Sequence, residues 1–269
     1  MIEVHFINVG QGNMVAAIFP DNSIMVYDCN ITEDNEGQIF AYLDSIMPKN
    51  SIDIFVNSHR DADHMRGIKK LNKKYPVNSV WDSSVSGNTE TSEYEEYMDF
   101  RNKVKNVYEV KPGQNWKDGQ VKILNGKRDD EEDINAQSIV LHVNNKGAST
   151  LLTGDTDAKT WKDYIMPESE EKIISSILLA SHHGALTFFD DPRDEKYYYS
   201  SHIRKIDPAM TIISVGDNAH GHPDKKAVEL YEKHSHGSNK GNKIFRTDIN
   251  GNIRLELNDN GTWTIYQNQ

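Results

Sequence analysis

Five times along this chain a short apolar run of strand length stops and gives way at once to side chains able to hold a cation or a phosphate. The runs centre on Ile24, Ile52, Leu151, Leu178 and Ile212, and their C-terminal ends read "YDCN", "NSHRDADH", "TGDTD", "SHHG" and "GDNAHGHP". Short, β-rich apolar runs are the signature of buried strands. In layered sheets the ends of such strands can converge on one edge, where sites form. Unrelated polar loops would not be expected to repeat this placement. The chain is therefore expected to fold as sheets whose strand ends share one edge.

The remaining elements fit that frame. "IEVHFINV" (2–9), "MVAAIF" (14–19) and "SIMVYD" (23–28) read as strands separated by the turn signals "GQGN" and "PDN". Ile39, Phe40, Leu43 and Ile46 fall at helical spacing and predict a helix over 36–46. "HMRGIKKLNKKY" reads as a helix from His64 that ends before Pro76, with "VNSVWD" as the next strand. The polar, Glu- and Tyr-rich stretch 83–106 looks like an insertion, helical from Ser92 onward. Strands are expected at 121–124, 138–143 and 149–155, then a helix at 158–165 and the strand "ISSILLASHHG". The strand "AMTIISVG", a helix over 223–234 opened by Pro223, and two or three closing strands complete the chain. There is no repeat, low-complexity linker or composition break, so 1–269 is expected to be a single domain. Two sets of strands, each with its helices, predict an α/β chain built as an αββα four-layer sandwich.

Composition narrows the partners. The formal charge is -11, which disfavours tracking of long duplex nucleic acid, because nonspecific affinity comes mainly from neutralised phosphates. The acidic run "RDDEEDIN" (128–135) reads as a solvated loop between strands. No apolar run approaches the roughly 20 residues needed to cross a bilayer. The N-terminus has no basic region before its first apolar run, so no signal peptide and a cytoplasmic location are expected. The single cysteine, Cys29, excludes an intrachain disulfide and a zinc site built on several thiolates, and reads as a small packed residue.

"HRDADH" holds the densest chemistry. On an extended loop His59, Asp61 and Asp63 project to one side, and His64 turns back as a helix begins, so the segment can offer ligands to two cations. A plainer reading has Asp63 capping that helix and the rest in solvent. Asp155 suits a bridging position, since one carboxylate can hold two cations. His182 and His183 are neighbours; on an extended chain they point apart, so one would ligate and the other face substrate or a carboxylate. Asp28 orders the site from below or serves as a buried turn acceptor. His142, inside a strand, reads as structural.

Taken in order, these motifs resemble those of the metallo-β-lactamase fold superfamily, most closely its ComEC-like branch. "FINVGQGN" matches FxDVGQGD, "SHRDADHMRG" matches SHxDxDHxGG, and "NAQSIVL" matches N-x-x-S-x-V-L. "LLTGD" matches the same words, "SHHGA" matches PHHGS, and "SVGDNAHGHP" matches SVGxNxYGHP. The resemblance implies two divalent ions, Zn²⁺ or Mn²⁺. One would be held by Asp63, His64 and His183, the other by His59 and Asp61, with Asp155 between them. Asp61 stands where lactamases carry a second histidine, which hardens that site. No counterpart of the lactamases' separate third-motif histidine is apparent.

Asn8, Asn13 and Arg66 depart from the pattern at positions not expected to ligate, and His220 replaces a tyrosine. The implied activity is a metal-dependent phosphodiesterase or nuclease acting on a nucleotide or on short, single-stranded nucleic acid. Asp63 would orient the nucleophile, and His220 and His222 would contact phosphate or protonate the leaving group, or else simply belong to a loop turn fixed by Pro223. His182 and Asn218 would join them in binding substrate. Hydrolysis of a lactone, ester or thioester is the competing enzyme reading, and a degenerate fold used for binding the non-enzyme one.

Overall fold

Alternation along the strands decides the layering. The computed structural model describes residues 1–268 apart from 130, 132, 170–172, 194–196 and 238–242. Its strands begin with β1 (Ile2–Phe6), β2 (Val15–Ile18), β3 (Ile24–Tyr27), β4 (Cys29–Asn30), β5 (Ile52–Val56), β6 (Val77–Asp82), β7 (Asn106–Glu109) and β8 (Asn115–Trp116). Then come β9 (Val121–Asn125), β10 (Val140–Asn145), β11 (Ala148–Leu152), β12 (Ile177–Leu179), β13 (Met210–Ile213), β14 (Ile244–Arg246), β15 (Ile253–Leu257) and β16 (Trp263–Tyr266).

One sheet has the order β16-β15-β1-β2-β3-β5-β6-β7 and the other β14-β13-β12-β11-β10-β9-β8. Met25 and Tyr27 of β3 point into a core shared with Ile177 and Leu179 of β12, so the sheets pack face to face. Ile24 and Val26 point the other way, under Leu43, Leu71 and Phe100 of three helices. Leu178 turns likewise toward Trp161, Ile165, Ile203 and Tyr231. Period-2 strands with both faces apolar demand a cover on each side, and the result is the αββα sandwich.

Where parallel strands lie side by side, their C-terminal ends share an edge. β3, β5 and β6 are parallel neighbours in the first sheet, as are β11, β12 and β13 in the second. Asp28, the 57–64 segment, Asp155, the 181–184 turn and the 214–222 loop all stand at or just beyond those ends. Cross-links between the sheets hold the edges in register: Tyr27 donates its hydroxyl to the Ile139 carbonyl at 2.7 Å, and Ile139 N–H donates to Ser58 O at 2.9 Å.

Three elements differ from the sequence expectation. The helix expected from His64 is interrupted: a single turn, Ala62–Met65, is followed by Gly67 at φ 76° and only then by the helix Ile68–Lys74. The cause is β4, whose Asn30 bridges to Arg66 and whose following residue, Ile31, donates N–H to the Arg66 carbonyl at 2.9 Å; Arg66 must be extended to accept. The helix expected over 223–234 begins at Lys225, because Asp224 caps it through bonds from the Lys226 and Ala227 N–H groups at 2.7 and 3.0 Å. The strand expected through "SHHG" stops at Leu179, and residues 181–184 make a tight turn. The stretch 83–106 carries the helix Ser92–Arg101, capped by Thr91, with Tyr97 and Phe100 buried against the first sheet's outer face. In the acidic run 128–135, residues 130 and 132 lie outside the described residues, and the described ones form neither helix nor strand.

His202 is a buried histidine with a structural role. Its ring is stacked on Tyr199 (4.9 Å between centroids, 3° between planes) and meets Phe188 at 4.2 Å. Burial pushes its pKa down to about 3, against about 6.5 for a free side chain. The unfolded chain therefore binds a proton that the folded chain refuses between these values. Stability on this account is full above about pH 6.5 and is lost as pH falls toward 3. His202→Leu should lower the midpoint of acid unfolding by about half a pH unit, read by circular dichroism; an unchanged midpoint would refute the assignment.

Candidate metal centre

Asp155 is 3% exposed and faces four imidazoles. His64 Nε2 lies 3.3 Å from its Oδ1, while His182, His59 and His183 Nε2 lie 3.5, 3.8 and 3.9 Å from its Oδ2. Asp63 adds a second carboxylate, 3.2 Å from His183 Nε2 and 3.9 Å from His64 Nε2. Two triads close within 4.8 Å: His59, His64 and Asp155, and Asp63, His64 and His183. A charge-assisted hydrogen bond would draw such atoms to about 2.7–2.9 Å. Two ligands each ~2.1 Å from a tetrahedral ion stand roughly 3.4 Å apart. The observed spacings suit the second case.

Hydrogen bonding makes the same point by what it leaves over. His59 Nε2, His64 Nε2, His183 Nε2 and Asp155 Oδ1 are all buried and have no hydrogen-bond partner among the described residues. An unpartnered buried polar atom costs about 1–3 kcal/mol, and four facing one another would be hard to sustain without a cation. The opposite nitrogens are all engaged. His59 Nδ1 lies 3.0 Å from Ser58 Oγ and 3.3 Å from Ser138 Oγ; His64 Nδ1 lies 2.8 Å from Asp28 Oδ2; His183 Nδ1 lies 3.0 Å from the Ser214 carbonyl. Fixing one ring nitrogen so that the other points inward is how proteins orient metal-binding histidines. The donor set of imidazoles and carboxylates fits a divalent ion.

Each part is held by the strand end that carries it. Asp28, fully buried, accepts the Ser58 N–H at 2.7 Å and the Ser58 hydroxyl at 2.8 Å, tying β3 to the loop after β5. Asp155 N–H donates to Ser138 Oγ at 3.1 Å, and His182 N–H donates to the Gly154 carbonyl at 3.0 Å. From the other side the 10–14 loop approaches: Asn13 N–H reaches the Asp63 carbonyl at 3.3 Å, and Ser214 donates to the Gly12 carbonyl at 2.7 Å. Gly216 lies so close to Gly10 that a Cβ there would sit 2.5 Å from the Gly10 Cα, so only glycine allows this approach.

Burial alone would raise the two carboxylates. It is outweighed for Asp63 by His64 and His183, and for Asp155 by His64, His182, His183 and His59, so both are held well below the usual carboxylate range. Burial would equally lower His64, but Asp155, Asp28 and Asp63 win and push it up. Burial and its imidazole neighbours drop His222 to about 4, and burial lowers His182. The centre thus pairs ionised carboxylates inside with a neutral imidazole rim.

The expected site residues fall into three groups. His59, Asp63, His64, Asp155 and His183 converge. Asp61 begins the Ala62–Met65 turn and lies 3.5 Å from His59 Nε2, though it belongs to neither triad. Asp63 therefore sits within the turn and does not cap it. His182 and His183 do not point apart as on an extended chain: both are left-handed, at φ 50° and 54°, and both reach Asp155. His182 and His222 line the rim, 5.2 Å apart between centroids, with His220 stacked on His222 at 5.8 Å and exposed. Asn218 spends its amide on its own loop, donating to Gly216 and His222 carbonyls and accepting from His220 and His222 N–H groups. His142 lies in β10 with Nε2 3.1 Å from the Ile174 carbonyl, away from the centre. Sequence reasoning misses Ser58, Ser138 and Ser214; of these, Ser138 is legible as the serine of "NAQSIVL".

No family model matches the chain. Among curated proteins it is similar to ComE operon protein 3 of Bacillus subtilis, 27% identical over 223 residues, or 80% of this chain. It is also similar to competence protein ComA of Neisseria gonorrhoeae, 24% identical over 78% of this chain. The chain spans about a quarter (26%) of the length of each of these relatives. Among solved structures, a metallo hydrolase from Ignicoccus hospitalis is 13% identical, covering 95% of this chain and 100% of its own, with a TM-score of 0.55. The metallo-β-lactamase fold protein YhfI from Bacillus subtilis is 10% identical, covering 92% and 97%, with a TM-score of 0.52. The two-sheet architecture is the metallo-β-lactamase fold. Within that fold its sequence is most similar to proteins of the ComEC-like branch.

A divalent ion that binds only the folded chain, at about a hundredfold over its Kd, adds about 2.7 kcal/mol. For a chain of this size that is a rise of roughly 5–10 °C in Tm. Adding Mn²⁺ or Zn²⁺ to chelator-treated protein should produce this shift, and His64→Ala should abolish it, measured by differential scanning calorimetry. A metal-independent Tm in the parent protein would contradict the centre.

Proposed function

We propose that this chain is a metal-dependent hydrolase that cuts phosphodiesters in a nucleotide or in short, single-stranded nucleic acid. The observation that carries the reading is that three buried imidazole nitrogens, on His59, His64 and His183, and Asp155 Oδ1 have no hydrogen-bond partner among the described residues and gather in two triads. Asp63, His64 and His183 would hold one divalent ion and His59 with Asp61 the other, with Asp155 shared; Zn²⁺ and Mn²⁺ both suit these donors. Such a pair, when bound, supplies a water of lowered pKa and a Lewis acid for the scissile group.

The protein's own groups do the rest. Asp63, ionised and 30% exposed on its side chain, stands at the mouth of the centre where it can orient the attacking water. His182 and His222 line that mouth as neutral rings, suited to donate hydrogen bonds to phosphate oxygens. With a pKa of about 4, His222 is a poor proton donor at neutral pH, which favours contact over leaving-group protonation. Asn218 shapes the loop that presents His220 and His222. Support for a phosphodiester comes from the carboxylate at Asp61 in place of a lactamase histidine, and from similarity to ComE operon protein 3 and competence protein ComA. The charge of -11 favours small or single-stranded substrates over long duplex.

Linear DNA, RNA, cyclic nucleotides, a chromogenic phosphodiester and simple lactones, offered with Mn²⁺ or Zn²⁺, should yield turnover on a phosphodiester. Asp63→Ala should lower that turnover by on the order of 10³-fold while the circular dichroism spectrum stays the same. Cleavage of lactones alone would overturn the substrate class. Full activity of Asp63→Ala would overturn the site.

A further inference from the structure

The buried polar network with no place in the chemistry above lies directly behind the metal loop. Arg60 stands between His59 and Asp61 yet turns away from both, 4% exposed, its Nη2 donating to Asp82 Oδ2 at 2.9 Å. Asp82, at the end of β6 and 1% exposed, is the hub. Its Oδ2 also accepts from the Tyr97 hydroxyl at 2.8 Å and Arg101 Nε at 2.7 Å. Its Oδ1 accepts from Ser84 N–H and Ser84 Oγ, each at 3.0 Å, and from Arg101 Nη2 at 3.3 Å. The Arg60 guanidinium lies over the Tyr97 ring at 5.7 Å. One carboxylate thus binds the metal loop to the helix Ser92–Arg101. The loop before that helix presses on the same point: a Cβ on Gly87 would lie 2.0 Å from the Arg60 carbonyl oxygen.

The two halves of the metal centre are supported differently. Asp63 and His64 sit on a hydrogen-bonded turn, with His64 fixed by Asp28 and Asp63 beside His183. Asp61 is 39% exposed on its side chain, and its partner in the centre is His59 at 3.5 Å. The backbone carrying Asp61 is set by Arg60, whose position depends on Asp82. We propose that Asp82, with Tyr97 and Arg101, is a positioning latch for the His59–Asp61 half of the centre, so that occupancy of this half depends on the 83–106 stretch. This rests on the two-ion reading given under Proposed function. Two arginines on one carboxylate make breakage costly, because an uncompensated buried charge would remain, and that gives the latch its stiffness.

Calorimetric titration of the metal-free full chain with Co²⁺, alongside the visible absorption of bound Co²⁺, tests this. The parent protein should take up two ions with two resolved spectral components. Arg101→Met, at a half-buried position, and the milder Tyr97→Phe should weaken one ion selectively, tenfold or more for Arg101→Met and less for Tyr97→Phe. The spectral component lost should be the one that His59→Ala removes. Arg101→Lys should restore part of the affinity. Asp82→Asn should be the most severe, and if it fails to fold the other variants decide. Equal weakening of both ions, or unchanged binding of both in Arg101→Met, would overturn the latch while leaving the metal reading intact. A parent protein that binds no Co²⁺, Mn²⁺ or Zn²⁺ would overturn the metal reading itself, and the latch with it.

Discussion

A carboxylate with almost no solvent access, Asp155, is kept ionised by the imidazoles around it, and the rest of the structure depends on that arrangement. Left alone it would be an expensive group to bury. His59, His64, His182 and His183 reach it from two loops carried by two different sheets. None of the four is free to turn away at low cost: three have their far ring nitrogen occupied by a serine hydroxyl, a carboxylate or a backbone carbonyl, and His182 is set by the bond from its own N–H to Gly154. The centre is built outward from this charge, each ring being oriented by the strand end that carries it.

Sharing one centre between two sheets ties chemistry to folding. The first sheet supplies Asp28 and the 57–64 segment; the second supplies Asp155, the 181–184 turn and the 214–222 loop. These side chains therefore come together only once the sheets have docked, and an ion bound among them would add its binding free energy to that of folding. The links that align the edges, from Tyr27 to Ile139 and from Ser214 to Gly12, are short and buried. They join segments 112 and 202 residues apart.

The open side of the centre has a different character. His182 and His222 are neutral, with His222 at about 4, and His220 is exposed beside them. Ionised carboxylates hold the interior and uncharged hydrogen-bonding rings meet the solvent. The rim formed by His182 and His222 thus adds no charge of its own to a chain whose overall charge is -11. No helix among the described residues is long and apolar enough to cross a membrane.

Much of this was legible in the chain. Period-2 apolar runs can be buried only in sheets, and two sheets with both faces apolar require helices outside, so the layering was within reach of local pattern. "HRDADH", "TGD" and "SHHG" could be read as ligands because their residue types have few other uses together at strand ends. What local pattern could not supply were directions. The opposed arrangement expected of His182 and His183 failed because the turn places both in the left-handed region, where neighbouring side chains no longer diverge. The helix expected from His64 was interrupted because Arg66 must pair with β4, a partner 36 residues away. Arg60 reads in sequence as one more polar letter among ligands; only its burial on Asp82 shows that it faces backward. The sequence alone determined which residue types stand at which strand ends, because periodicity and side-chain chemistry are local. Tertiary structure alone decided which of them meet, because docking of the two sheets sets those distances.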